Sequence, residues 1–168
     1  MQRVRGRGQK GMKAISLWQP WATAIALGAK TVETRSWYTP YRGPLAIHAA
    51  KRCIRQELIH LSCMSNWTGA LADLLQGDSI FTLPFGAIVA TCELAECRPT
   101  GDFTNAELDE ARFPKASAVY RTYFWTERGM GDFSLGRYGW VLKNIEALPE
   151  PIPWRGEQGF FNVQIPGR

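Results

Sequence analysis

Apolar and polar positions change period several times along this chain. Ala14 to Leu17 is a short apolar run of strand length. Trp21, Ala24, Ile25 and Gly28 then recur at helical spacing, with Pro20 in the first turn and Gly28 as a natural C-terminal cap. Thr31 to Ser36 is rich in β-branched residues and reads as the next strand, with Glu33 and Arg35 on one face and Val32 and Thr34 on the other. A turn-rich link, Tyr38 to Pro44, leads to a strand from Leu45 to His48. Helical stretches follow near Ile54–Leu61 and Trp67–Leu75.

Residues 86–94 give the clearest alternation: Ile88, Ala90, Cys92 and Leu94 share one face, and Val89, Thr91 and Glu93 the other. Thr104 with Glu107 forms a capping box that starts a helix near Asn105, and residues 116–128 suggest another. Residues 138–148 are a strong strand, "PEPIPWRGEQG" an extended connector, and Phe160 to Ile165 a closing strand. Five or six strands with helices between them predict an α+β fold. Its sheet should be mixed and mainly antiparallel, curled into a small β-barrel.

Composition narrows the functional classes. The 168 residues suit a single domain, expected over 13–168, with a basic tail over 1–12. The formal charge is +5, and the tail's Arg3, Arg5, Arg7 and Lys10 leave the body near +1. The tail is either a nucleic-acid-binding arm or an inert extension. A nearly neutral body argues against a broad duplex-DNA surface. No apolar run reaches the roughly 18 residues that cross a bilayer, and no signal-type h-region follows the basic start. Four Cys without C-x-x-C spacing and two His give no zinc pattern. Reduced thiols in a cytoplasmic protein, with no metal and no cofactor, are the expectation. No phosphate-binding glycine motif is present.

Candidate chemistry gathers around "GAKTVETRSW", Gly28 to Trp37. Lys30 stands at a helix-to-strand corner, and Glu33 and Arg35 are spaced to pair on one strand face. The pair is either a solvated ion pair or the floor of a cleft. Trp18, Gln19, Trp21 and Trp37 flank it, and aromatic rings beside cations suit the stacking of bases. His48 ends an apolar strand, and Lys51 and Arg52 follow as either phosphate ligands or solvated charges. "FSLGRYGW", with Arg137 and Tyr138 between glycines, and "PWRGEQGFF" are each a lid or a turn.

The blocks "ISLWQPWATAIALGAKTVETRSW" and "YRGPLAIHAAKR" resemble the ASCH family, whose signature Gly-x-Lys-x-x-Glu-x-Arg reads Gly28, Lys30, Glu33 and Arg35 here. The later blocks "FGAIVATCEL" and "YGWVLKNIEALPEPIPWRGEQGFF" extend the resemblance over residues 13–165. It implies a PUA-like fold, a small mixed β-barrel with surrounding helices, and a cleft where the signature gathers. It also implies RNA binding, transcription coactivation, ribonuclease activity or hydrolysis of N4-acetylcytidine.

In the acetylcytidine hydrolases a Lys activates a Thr three residues later, and a strand Glu assists. Lys30 matches that Lys, but Glu33 holds the Thr position, and Thr31 and Thr34 are out of register. The assisting group aligns with Glu93 or Thr91. Glu33 lacks the hydroxyl of that mechanism. A water-based variant would use Glu33 as general base and Lys30 as oxyanion stabiliser.

The first expectation is therefore a module that binds single-stranded RNA, a nucleotide or a modified nucleoside. Trp18, Gln19, Trp21, Arg35, Trp37, Lys51, Arg137 and Tyr138 would contact the ligand. The alternative is a metal-independent hydrolase of RNA or of acylated nucleosides, with Lys30, Glu33 and His48 in the chemistry. A ligand-free protein-interaction domain is the third reading.

Overall fold

The computed structural model describes residues 11–52, 82–109 and 126–166. The helical stretches expected at 54–61 and 67–75, and most of that at 116–128, lie outside the described residues. So do the basic residues at positions 3, 5, 7 and 10.

The first unit follows its local pattern closely. β1 (Met12–Leu17) leads into α1 (Trp21–Ala26), whose buried face is Ala22, Ala24 and Ile25. Gly28, at φ 73°, ends the helix: its N–H bonds to Ile25 O, and the next N–H, on Ala29, reaches back to Ala24 O. These two bonds are the Schellman closure, which needs a residue that tolerates positive φ. The turn delivers the chain into β2 (Val32–Arg35).

The remaining strands among the described residues are β3 (Gly43–Ala49), β4 (Ala87–Pro99), β5 (Tyr138–Pro153) and β6 (Phe161–Val163). Among the described residues between β4 and β5 are a 3-10 turn (Thr100–Asp102) and two short helices, α2 (Asn105–Asp109) and α3 (Glu127–Met130). The capping box forms as expected: Thr104 N donates to Glu107 Oε2 (2.8 Å), and Glu107 N donates to Thr104 Oγ1 (3.3 Å).

The six strands form one sheet in the order β2-β5-β4-β3-β1-β6. The β1–β3 pair is parallel and the other four are antiparallel, so the sheet is mixed and mainly antiparallel. It is open, which corrects the expected closed barrel. Its edges, β2 and β6, span only four and three residues and share no ladder. Such short edges offer few backbone groups to join across the gap. β5 also runs through Pro149 and Pro151 to Pro153, where a connector was expected, because Ala87 and Ile88 of β4 pair with Pro153 and Ile152.

Among the described residues, two of the buried clusters lie on opposite faces of the central strands. Ile15, Leu17, Ile25, Leu45, Ile47, Leu94, Trp140 and Leu142 form the larger core beneath α1. Ala14, Ala46, Ile88, Phe161 and Val163 form a second cluster. Ile88 therefore does not share a face with Ala90, Cys92 and Leu94. A register shift between Ile88 and Ala90 interrupts the alternation at that point. Among the described residues no helix is long and apolar enough to cross a membrane.

Candidate functional site

β2 carries the signature residues, and three groups hold it in place. Its register opposes Glu33 to Trp140 and Arg35 to Tyr138. Val32 packs on Phe103 and Leu108. The Glu127 side chain, fully buried in α3, accepts from Thr31 N, Thr31 Oγ1 and Val32 N at 2.5, 2.7 and 3.0 Å.

Lys30 does not stand out at the corner. It is 1 % exposed, and its ammonium donates to Val32 O and lies 3.6 Å from Glu33 Oε2. A buried ammonium needs such partners, because desolvation without them would be prohibitive. Glu33 Oε1 in turn lies 3.1 Å from Arg35 Nε. That contact is an ion pair outside hydrogen-bond geometry, since Arg35 Nε has no hydrogen-bond partner. Arg35 Nη2 donates to Ser16 O at 2.9 Å, which ties β2 to β1. Lys30, Glu33 and Arg35 thus form a chain of alternating charge from the interior to a surface cavity.

That cavity, of about 640 Å³, is lined by Glu33, Thr34, Arg35, Ser36 and Trp37 from β2 and the residues after it. Ser16, Leu17, Trp18 and Trp21 form another wall, and Met130, Gly131, Asp132 and Arg137 a third. Trp18 is 51 % exposed, so its ring is available to a ligand. Arg137 Nε lies 3.3 Å from Asp132 Oδ2. Hydrogen bonds from Ser134 Oγ and N, reinforced by Arg137, hold the Asp132 carboxyl below the usual range. Both guanidiniums in the lining are therefore matched by carboxylates, and the cavity wall is formally neutral.

The other expected residues divide between structure and a second site. Trp37 lines the cavity but also packs edge-on against Trp140, with centroids 4.7 Å apart. Gln19 is buried: its amide donates to Pro84 O and its carbonyl accepts from Thr23 N, which holds the start of α1. Tyr138 packs on Tyr38 and does not line the cavity. Glu93 and Thr91 line a different cavity, with Asn144 and Glu146.

His48 and Lys51 line a second cavity, of about 940 Å³, whose lining does not include Glu33. His48 is buried in β3 as the register partner of Ser16. Its Nε2 lies 3.0 Å from Trp154 O, and its Nδ1 lies 3.0 Å from Ser16 Oγ. A carbonyl can only accept, so Nε2 carries the proton and Nδ1 accepts from the Ser16 hydroxyl. Burial lowers the His48 pKa and favours this neutral form.

Sequence reasoning passed over Ser16, Asp132, Glu127 and Arg155. Ser16 carried a signal, as the polar position inside the apolar run Ala14–Leu17. Arg155 lay inside a stretch already singled out as a lid or a turn. Glu127 carried none, because its partners lie 95 and 96 positions away. Among the described residues no group of three or more His, Cys, Asp or Glu side chains is placed to hold a metal ion.

The family model of the ASCH domain matches residues 15–148. Activating signal cointegrator 1 of Mus musculus is 33% identical over 117 residues, covering 67% of this chain and 19% of that protein. The Homo sapiens protein of the same name is 37% identical over 94 residues, covering 54% of this chain and 15% of that protein. The chain thus spans less than a fifth of the length of these curated relatives. Among solved structures, ASCH from Zymomonas mobilis is similar with a TM-score of 0.49 at 17% identity, covering 90% of this chain and 87% of that one.

Proposed function

Since the chain belongs to the ASCH domain family, a family associated with RNA binding, we propose that the cavity over Glu33 and Arg35 receives one unpaired base of single-stranded RNA. A nucleotide or a modified nucleoside presents the same base. The observation that carries this reading is the neutral, polar floor between exposed tryptophan and paired charges. A site meant for phosphate would leave its cations unpaired, whereas Arg35 and Arg137 each face a carboxylate. Fixed donors and acceptors of both signs suit the edge of a base, and Trp18 supplies a face for stacking. Lys30 then acts from below, holding the Glu33 carboxylate in position.

The test is binding of a fluorescent single-stranded RNA to the wild type, Trp18→Ala and Glu33→Gln. Loss of one stacking platform costs about 1–3 kcal/mol, so Trp18→Ala should weaken binding roughly 5- to 150-fold. Unchanged affinity in both variants overturns the reading. Incubation with N4-acetylcytidine and with RNA follows product formation in parallel. Turnover abolished by Glu33→Gln would replace binding with hydrolysis as the function of this cavity.

A further inference from the structure

We propose that the second cavity is a phosphate-binding subsite for the strand whose base occupies the first; this rests on the base-binding reading above. Lys51, Arg52 and Arg155 line it, against the single carboxylate of Glu157. The formal excess of two positive charges contrasts with the neutral wall of the base cavity. Among the described residues none of the three cations is in an ion pair, whereas Arg35, Arg98, Arg128 and Arg137 all are. Their donors are therefore available to an anion, and they are exposed or in a loop that reaches solvent.

The subsite is built rather than incidental. Gly86, at φ +66°, lets the aliphatic stem of Lys51 lie across the backbone: a Cβ there would meet Lys51 Cβ at 3.3 Å. The loop carrying Arg155 is pinned at the preceding residue, where Trp154 N donates to Gly86 O (2.9 Å) and Trp154 O accepts from His48. Gly156 then crosses directly over His48 and Ser16, where any Cβ would fall 2.4 Å from His48 Cε1 and 2.6 Å from Ser16 Oγ. His48 is thus a positioning residue for the Arg155 loop.

Continuity joins the two cavities. Ser16 lines both, with its carbonyl bonded to Arg35 on the base side and its hydroxyl to His48 on the other. A strand with one base beside Arg35 needs its neighbouring phosphodiesters within reach of cations, and this wall leads to them. Phosphate contacts position a nucleic acid without reading its sequence, so the division of labour is physical: the neutral cavity selects and the basic one anchors.

The experiment measures affinity of the full chain for a labelled oligouridine of about ten nucleotides, across salt from about 0.05 to 0.4 M. Each single-strand phosphate contact contributes about 0.7 to the slope of log affinity against log salt. Combined Lys51→Ser, Arg52→Ser and Arg155→Ser should reduce that slope by about 2, and affinity about 100-fold near 0.1 M, converging with wild type as salt rises. Trp18→Ala should weaken binding with the slope unchanged. Lys143→Ser removes an exposed cation that lines neither cavity and should alter neither quantity. A triple variant with wild-type slope and affinity, beside a weakened Trp18→Ala, overturns the phosphate subsite alone. Wild-type binding by both overturns the base reading as well. A slope change for Lys143→Ser equal to about a third of the triple variant's shows diffuse charge and also overturns the subsite. Equal urea midpoints verify that the surface variants are folded.

Discussion

Replacing Glu127 tests how the site is held. The Glu127 carboxyl accepts two backbone N–H groups and one hydroxyl at the start of β2, from an environment with no solvent exposure. In Glu127→Ala the Val32 N–H, on a residue 5 % exposed, loses its acceptor and cannot reach water. The Thr31 N–H is part-buried and recovers some solvation. A stranded buried donor costs about 1–3 kcal/mol, so the two donors and the vacated space together amount to about 3–5 kcal/mol. With a urea m-value of about 2 kcal/mol/M, the unfolding midpoint should fall by about 1.5–2.5 M, followed by tryptophan fluorescence. Glu127→Gln keeps one acceptor but turns an NH₂ toward the other donor, and should lose about half as much. Thr31→Val removes only the hydroxyl and should cost about 1 kcal/mol. A Glu127→Gln protein as stable as wild type within about 0.5 kcal/mol would refute the reasoning. It would mean that β2, and Glu33 and Arg35 with it, is held by the β5 ladder and the Val32 contacts alone. The functional counterpart is that Glu127→Gln, where folded, weakens RNA binding although Glu127 does not line the cavity.

Two further outcomes follow from the same geometry. Because burial lowers the His48 pKa, the native state resists its protonation, so this contribution to stability is complete above the unfolded value of about 6.5 and is lost as pH falls through the lower folded value. The wild type should therefore lose more stability than His48→Gln between about pH 7 and pH 5 in urea titrations, and parallel curves would count against the burial argument. Cys92, whose thiol burial raises to about 12 while it donates to Leu45 O, should resist alkylation by iodoacetamide at about pH 8 until denaturant is added; rapid labelling of the native chain, read by mass spectrometry, would contradict the packing of β4 on β3.

Several features were legible in the amino-acid sequence because their causes are local. The run from β1 through α1 to β2 depends on hydrophobic period and on a glycine that closes a helix through contacts within five residues. The Thr104–Glu107 box is likewise a three-residue matter. The two-residue spacing of Glu33 and Arg35 is enough to make them a pair. Both residues of the pair line one cavity, with Trp18, Trp21 and Arg137.

What the sequence left undecided depends on groups brought together from a distance. Lys30 looks like a surface corner in one dimension; only the assembled layers bury it, and the cost of desolvating an ammonium then obliges Val32 O and Glu33 to attend it. Whether the strands close is settled by how far each ladder extends, and the short edges β2 and β6 leave the sheet open. That His48 and Lys51 line a different cavity from Glu33 follows from their packing against Gly86 and the Trp154–Gly156 segment, with Ser16 of β1 as the wall common to both cavities. Periodicity and capping act over a few residues, whereas strand order, burial and the pairing of charges are properties of contacts that span the chain. For that reason the sequence by itself identified the residues of the signature, and the tertiary structure alone decided which of them line a cavity and which lie underneath.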